Sequence, residues 1–233
     1  MVRFALGLAG VDYEEEFIRT RQDMLDLMPK LRYGQVPMLE TPEGERLVQT
    51  GAILRYIARK FDLYGKAEGK EERVDEIIEA SSDAMGSGLL DVAMRYKNGQ
   101  SFEEAASTEG VKCMRWIKAW EAQMDAGKFI AGTEKPTVAD SCALRVVEEA
   151  IEVLGEDEVL GQQPKLAAWR KTMLQVPNIA KFLKVTLPSR SCPAPLCQSA
   201  ISSSSQSSHR MPSTVDDASA KQYHKEVAAG LGW

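Results

Sequence analysis

Residues Leu31 to Phe61 read LRYGQVPMLETPEGERLVQTGAILRYIARKF, and this stretch predicts the fold. Two short apolar segments, Val36 to Glu40 and Arg46 to Gln49, flank a Thr-Pro-Glu-Gly turn, which is a pattern typical of an antiparallel pair of strands. Apolar residues then recur at helical spacing from Ile53 to Phe61. The stretch therefore predicts strand, turn, strand and helix.

Two features of this stretch indicate a binding site. Pro37 stands where the first strand should begin, and proline cannot donate to a strand ladder. An X-Pro bond can also be cis, so the backbone of Val36 could pair with an extended peptide. Gln49 and Thr50 lie where the second strand meets the helix, and the unpaired N–H groups and the hydroxyl there favour a carboxylate or phosphate. Together these features predict a small anionic peptide as the ligand.

Composition narrows the class of protein. The chain has 233 residues, 44% of them hydrophobic, and a net charge of −5, which argues against non-specific binding to nucleic acid or acidic membranes. No apolar run approaches the roughly 18 residues of a membrane span, and the apolar start lacks a charged leader region, so we expect a soluble protein. The cysteines show no close-paired framework, which favours reduced thiols in a cytoplasmic protein, and the two histidines exclude a histidine-rich metal site.

The rest of the chain predicts further domains. Asp62 to Lys70 is a polar, glycine-containing linker, and helical patterns follow it. Ser101 to Glu104 and Thr137 to Asp140 both match helix capping boxes, so Asp140 is interpreted as a cap and not as a catalytic residue. The predicted organisation is an α/β domain at 1–62, an all-α domain at 71–184, a disordered Ser/Pro-rich segment at 185–214 and a short helix at 215–233.

The order QVP, hairpin, LVQT, helix closely resembles the glutathione-binding segment of cytosolic glutathione transferases. The resemblance covers Val2 to about Lys184 and is nearest to the alpha, mu and sigma classes. It implies an α/β thioredoxin-like N-terminal domain followed by an all-α C-terminal domain. Residues 2–11 resemble the second half of the family's first helix, and residues 12–18 resemble its second strand.

By the same resemblance, the first strand is missing, together with the tyrosine that stabilises the glutathione thiolate in these classes. That tyrosine would lie upstream of Met1. No residue of the chain matches it, and Tyr13 is interpreted as a strand residue and not as its replacement. We therefore expect an N-terminally truncated chain with weak or no activity as written. The catalytic residue stays unassigned.

The resemblance also implies roles for particular residues. Asp83, contributed by a partner subunit, and Arg115 would hold the γ-glutamyl ammonium region, and Tyr33 would insert into the partner as an aromatic key. Solvated surface charge is the alternative for the charged residues, and packing beside Pro37 is the alternative for Tyr33. The residues implied to bind glutathione are Lys30, Arg32, Gln35, Val36, Pro37, Gln49, Thr50, Asp83 and Arg115.

Three functions remain open at this point. The leading hypothesis is a cytoplasmic, homodimeric glutathione transferase that uses glutathione as co-substrate, without a cofactor or metal, on electrophilic apolar substrates. The alternative is a glutathione-binding or hydrophobic-ligand-carrying protein without conjugating activity. A structural or partner-docking helical protein is the third, and it would leave Val36-Pro37 and Gln49-Thr50 unused.

Overall fold

The computed structural model describes residues 1–86 and 111–186. The described part of the chain is mainly helical and contains one two-stranded sheet. Its elements are α1 (Val2–Ala9), α2 (Arg21–Leu27), β1 (Met38–Glu40), β2 (Arg46–Val48), α3 (Thr50–Lys60), α4 (Glu71–Ala84), α5 (Val111–Gln123), α6 (Val138–Leu154), α7 (Glu156–Leu160), α8 (Pro164–Gln175) and α9 (Pro177–Thr186). Short 3₁₀ turns occupy Met28–Lys30 and Lys66–Glu68.

The described residues belong to two compact units. The larger unit contains residues 1–13, 37–86 and 111–186, and the smaller unit contains residues 14–36. Both strands and every described helix except α2 lie in the larger unit. The sequence-based domain bounds, 1–62 and 71–184, stay a prediction.

The predicted hairpin is confirmed, with shorter strands. β1 pairs with β2 in antiparallel register, with Met38 opposite Val48. The turn forms as expected: the Gly44 N–H donates to the Thr41 carbonyl at 2.8 Å, and Gly44 has φ 81°, a conformation that glycine adopts without strain. The strand begins after Pro37 and not at Val36, because proline has no N–H for the ladder.

The start of the chain matches the sequence prediction only in part. Residues 2–9 form the expected helix, which ends at Gly10 in the left-handed conformation. The strand predicted at residues 12–18 is wrong, since this segment has no regular secondary structure. A strand needs a hydrogen-bonded neighbour, and in the described residues β1 and β2 pair only with each other. Three consecutive glutamates at 14–16 further disfavour strand formation. Tyr13 accordingly has no cross-strand role.

The core of the larger unit is built from the helical faces that the apolar spacing predicts. α1 packs against α3, α6 and α9, and α4 packs against α3, α5 and α6. Gly7 of α1 permits a close approach by Phe182 of α9, whose ring also meets Phe4 edge-on at 5.2 Å. Fully buried large side chains of this core include Ile53, Leu54, Ile57, Ile77, Ile78, Ile117, Leu144, Leu166, Met173 and Ile179.

Two carboxylates stabilise helix starts in the larger unit. The Thr137 to Asp140 capping box is confirmed: the Thr137 N–H donates to Asp140 Oδ2 at 2.7 Å. The Glu121 carboxylate accepts from the backbone N–H groups of Lys165 and Leu166 at 3.2 and 2.8 Å, so it caps α8 from a neighbouring helix. Asp140 is therefore a structural residue, as the sequence predicts.

In the smaller unit, a capping box formed by Thr20 and Asp23 opens α2. The Asp23 N–H donates to Thr20 Oγ1 at 3.1 Å, and the Thr20 N–H donates to Asp23 Oδ2 at 2.9 Å. Hydrogen bonds to the Asp23 carboxylate, first from the Arg19 N–H and then from Thr20, lower the pKa of Asp23. The capping box satisfies one of the first N–H groups of α2, which spans Arg21–Leu27.

Several sequence predictions concern residues outside the described part of the chain. They are the capping box at Ser101 to Glu104, the Ser/Pro-rich segment beyond Thr186 and the helix at 215–233. Cys192, Cys197 and both histidines also lie outside it. α9 is helical through Thr186, so residues 185 and 186 belong to a helix and not to the predicted disordered segment.

Candidate glutathione site

The junction between β2 and α3 lies at Gln49 and Thr50. Val48 is buried, whereas the next residue, Gln49, is exposed and has φ 73° and ψ 116°. A non-glycine residue with positive φ is strained by about 1–3 kcal/mol, and such residues concentrate at functional sites. The first helical bond of α3 runs from the Ile53 N–H to the Gln49 carbonyl, at 3.0 Å. The N–H groups that precede Ile53 in the first turn, including that of Thr50, therefore have no acceptor within the helix.

The hairpin brings Pro37 to the same end of the sheet as this junction. Met38 pairs with Val48, so Pro37, which precedes Met38, and Gln49, which follows Val48, both lie where the hairpin ends. Of the sequence-predicted binding residues, Pro37, Gln49 and Thr50 are thus gathered in one place. A carboxylate can bind at this place. It would accept hydrogen bonds from the first N–H groups of α3 and from a hydroxyl, and the positive end of the helix dipole would stabilise its charge.

Five other predicted residues belong to the smaller unit. Leu31 is buried and its carbonyl accepts from the Gly34 N–H at 3.2 Å, forming a turn that follows the 3₁₀ turn at Met28–Lys30. Tyr33 in this turn is 62% exposed, and Val36 is 49% exposed. The five residues are Lys30, Arg32, Tyr33, Gln35 and Val36, and all are exposed.

Asp83 and Arg115 lie on neighbouring helices of the larger unit. Asp83 is exposed in the last turn of α4, and Arg115 is exposed on α5, which packs against α4. The Arg115 guanidinium lies over the Trp116 ring, 4.2 Å from its centroid. Both positions leave the charged groups accessible to solvent.

Met1, upstream of which the resemblance places the catalytic tyrosine, has a structural position at the start of α1. It is the N-cap residue of this helix, and its carbonyl accepts from the Ala5 N–H at 3.1 Å. Its half-buried side chain packs against the core of the larger unit. The tyrosine upstream of Met1 stays a prediction.

The sequence analysis missed a charged cluster beside the first turn of α3. Arg55 Nε donates to Asp75 Oδ1 at 2.8 Å, and Arg55 Nη2 donates to Glu79 Oε1 at 2.8 Å. Burial lowers the pKa of Arg55, but the hydrogen bonds to Glu79 and Asp75 raise it overall. The sequence signal of this cluster is a four-residue spacing on each helix. It places Gly51 and Arg55 on one face of α3, and Asp75 and Glu79 on one face of α4.

The two described cysteines do not provide a reactive thiolate. Cys113 and Cys142 are both buried, and neither forms a disulfide. Burial raises the pKa of Cys113 to about 11 and that of Cys142 to about 12. Neither thiol is therefore suited to act as a nucleophile at neutral pH.

Iodoacetamide at neutral pH is expected to leave Cys113 and Cys142 unmodified in the folded protein and to modify both after denaturation. With a pKa of about 11, only about one Cys113 thiol in ten thousand is ionised at pH 7, and burial also blocks access. Peptide mass mapping reads each cysteine separately. Rapid alkylation of Cys142 in the folded protein would contradict the buried environment.

A cleft of about 270 Å³ lies elsewhere in the larger unit. It is bounded by the loop at 124–129 and by one face of α8, and Phe129, Lys165 and Thr172 contribute to its lining. None of the sequence-predicted glutathione residues lines it. The cleft therefore belongs to a different surface from the β2 to α3 junction.

Within 1–86 and 111–186, no group of three or more His, Cys, Asp or Glu side chains is placed to hold a metal ion. In the same ranges, no helix is both long and apolar enough to cross a membrane.

Comparisons with known proteins agree with this architecture. A family model for the glutathione S-transferase N-terminal domain matches residues 1–59, and one for the C-terminal domain matches residues 91–186. The chain is 32% identical to glutathione S-transferase alpha-3 of Rattus norvegicus over 189 residues, covering 78% of this chain and 82% of the relative. It is 34% identical to glutathione S-transferase 3 of Gallus gallus over 191 residues, covering 78% and 79%.

A solved structure from the same family shares the fold. A crystal structure of the glutathione S-transferase from Ascaris lumbricoides superposes with a TM-score of 0.65 at 26% identity, covering 79% of this chain and 89% of that one. The small hairpin and the helical region that follows it correspond to the thioredoxin-like and helical parts of this family. The chain therefore belongs to the glutathione S-transferase family, and its function is that of a glutathione transferase.

Proposed function

We propose that this transferase conjugates the thiolate of glutathione to electrophilic apolar substrates. The observation that carries the proposal is the start of α3 at Thr50, directly after Gln49 with its positive φ, beside Pro37 at one end of the hairpin. A peptide with a free carboxylate matches the N–H donors of a helix start. Glutathione is the co-substrate, and the reaction uses no resident cofactor.

The chemistry is a nucleophilic attack by sulfur. The thiol proton passes to solvent, and a sulfur electron pair forms a bond to the electrophilic carbon. In a substitution, the leaving group departs with its bonding pair. In an addition, the electrons of the activated double bond move to the neighbouring atom, which is then protonated. Lowering the thiol pKa from about 8.5 towards neutrality raises the thiolate fraction and the rate.

The binding residues have distinct proposed roles. The side chain of Gln49, the first N–H groups of α3 and the Thr50 hydroxyl are proposed to donate to the γ-glutamyl carboxylate, since a helix N-terminus stabilises negative charge. The backbone at Val36, with Gln35, is proposed to pair with the peptide portion, and both residues are exposed. Lys30 or Arg32 is proposed to meet the glycine carboxylate.

The proposed assembly is a cytoplasmic homodimer that acts in detoxification. Asp83 and Arg115 are both exposed, as expected for groups that reach the ammonium region of glutathione near a subunit interface. Tyr33, at 62% exposure, is the proposed aromatic contact with the partner. Sedimentation equilibrium of the full chain tests the dimer, and a monomer at micromolar concentration would contradict it.

The Thr50→Val variant is expected to raise the KM for glutathione about tenfold and to leave the KM for the electrophile unchanged. Valine keeps the shape of threonine but removes one hydrogen bond to a carboxylate, worth about 1.5 kcal/mol. Steady-state kinetics with each substrate varied in turn measures the effect.

The matched control is Thr172→Val, which removes a hydroxyl that donates to the Ala168 carbonyl on α8. Its KM for glutathione should equal that of the wild type. Failure of the wild-type chain to bind immobilised glutathione would contradict the proposed function. Equal KM values in Thr50→Val and wild type would contradict the assignment of Thr50.

A further inference from the structure

The Arg55 side chain lies beside the first turn of α3, although Arg55 itself is in the middle of the helix. A Cβ atom added to Gly51 would lie 2.9 Å from Arg55 Nη1 and 3.4 Å from Glu79 Oε1. Residues four apart share a helix face, and long side chains fold back towards the helix N-terminus. The guanidinium and the Glu79 carboxylate therefore occupy the space that glycine leaves open at Gly51.

The charges in this cluster are unequal. Arg55 faces two carboxylates, those of Asp75 and Glu79, with nitrogen to oxygen distances of 2.8 Å to each. The Tyr64 hydroxyl also donates to Asp75 Oδ1 at 2.8 Å. The side chain of Asp75 is 38% exposed and that of Glu79 is 63% exposed, whereas that of Arg55 is 26% exposed. Arg55 is thus the more enclosed, compensating partner.

The charged cluster of Arg55, Asp75 and Glu79 lies close to a proposed ligand subsite, so its net charge affects ligand binding. The proposed subsite for the γ-glutamyl carboxylate is the first turn of α3, to which Gly51 belongs. Without Arg55, the uncompensated Glu79 carboxylate would lie beside that turn, with Asp75 one helical turn away on α4, and both would repel an incoming anion. Because the cluster is partly exposed, this repulsion would weaken in salt.

We propose that Arg55 is a specificity-determining residue for glutathione, acting by compensating Asp75 and Glu79 so that the first turn of α3 accepts the γ-glutamyl carboxylate. The proposal rests on the proposed function, because it concerns the same subsite. Arg55 is assigned no contact with the reacting sulfur. Its role is electrostatic and positional, with Gly51 providing the space.

The test compares glutathione dissociation constants by isothermal titration calorimetry for four full-length variants. Arg55→Met is expected to weaken glutathione binding by about tenfold at low salt, and by clearly less at about 0.3 M NaCl. Arg55→Lys keeps the charge and is expected to bind within about threefold of the wild type. The Asp75→Asn, Glu79→Gln double variant leaves Arg55 uncompensated and should bind glutathione more tightly than the wild type at low salt.

The fourth variant combines Arg55→Met with both neutralising substitutions. Recovery of binding to within about threefold of the wild type is expected, since no uncompensated carboxylate remains. A purely structural bridge between α3 and α4 predicts the opposite, because this variant lacks the bridge altogether. Thermal unfolding of each variant shows whether the fold is retained.

The outcomes separate this inference from the proposed function. If the wild-type chain does not bind glutathione, both are overturned. If the wild type binds and Arg55→Met binds equally well, only the role of Arg55 is overturned. If the triple variant binds as weakly as Arg55→Met, or the double variant binds no more tightly than the wild type, charge compensation is overturned. If Arg55→Met does not fold, the glutathione affinity of the Asp75→Asn, Glu79→Gln double variant still tests charge compensation.

Discussion

Replacing Asp140 with asparagine is expected to lower the free energy of unfolding by about 2–5 kcal/mol. The carboxylate is fully buried and accepts four hydrogen bonds. Oδ1 accepts from the Ile130 N–H and Trp169 Nε1, each at 2.8 Å, and Oδ2 accepts from the Thr137 N–H and hydroxyl at 2.7 and 2.9 Å. An amide nitrogen in place of either oxygen would face donors and leave them unsatisfied.

This arrangement also explains the electrostatics of the group. Burial raises the pKa of Asp140, while the hydrogen bonds from Ile130, Thr137 and Trp169 act against that rise. The carboxyl group links the loop before α6, the start of α6 and one face of α8. Its removal would therefore disturb three segments at once, which is why the expected loss exceeds that of an ordinary helix cap.

Urea denaturation followed by circular dichroism measures the change. The matched control is Asp125→Asn, which makes the same chemical change at an exposed position in the loop after α5. The control should unfold at the wild-type midpoint, since exposed substitutions of this kind have little effect. An unchanged midpoint in Asp140→Asn would contradict the structural role of the carboxylate.

Replacing Gly7 with alanine is expected to destabilise the protein by about 1–3 kcal/mol. Within a helix this change normally stabilises by about 1 kcal/mol, so the expected sign is reversed. The added Cβ would lie 2.5 Å from Phe182 Cγ and 2.8 Å from its Cδ2. The ring cannot move freely, because it is buried and packs edge-on against Phe4. The backbone of α1 or α9 would have to shift.

Gly86→Ala is the control for the same substitution without a contact. Among residues 1–86 and 111–186, a Cβ on Gly86 meets nothing within 4 Å, and its φ does not lie in the left-handed region. We expect this variant to be as stable as the wild type or slightly more stable. Urea midpoints of the two variants give the comparison, and equal stability of Gly7→Ala and Gly86→Ala would refute the proposed steric conflict.

The turn and the helices could be predicted because each depends on residues that are close together in the sequence. The turn after Thr41 needs a glycine with positive φ, and Gly44 provides it. The helix after Thr50 follows from apolar spacing. The strand predicted at residues 12–18 failed for the opposite reason, since a strand depends on a neighbour that a local pattern does not specify.

The sequence predicts a ligand class for the candidate site, but it does not predict the electrostatics of that site. Proline at 37 and the polar pair at 49 and 50 indicate an anionic peptide, and the hairpin register places them together. The ion pairs of Arg55 join residues 20 and 24 positions apart on two helices. The spacing within each helix places these residues on one face, but it does not identify their partners on the other helix. The strained backbone of Gln49 could not be predicted from the sequence either, since glutamine rarely adopts positive φ.

Stability and ligand binding favour different residues at position 49. Glycine would adopt φ 73° at lower energy, so thermostability favours losing the side chain at this position. The proposed ligand contact favours keeping it. Engineering this transferase for heat resistance through the β2 to α3 junction would thus trade activity for stability, while the helix starts capped by Asp140 and Glu121 lie apart from that conflict.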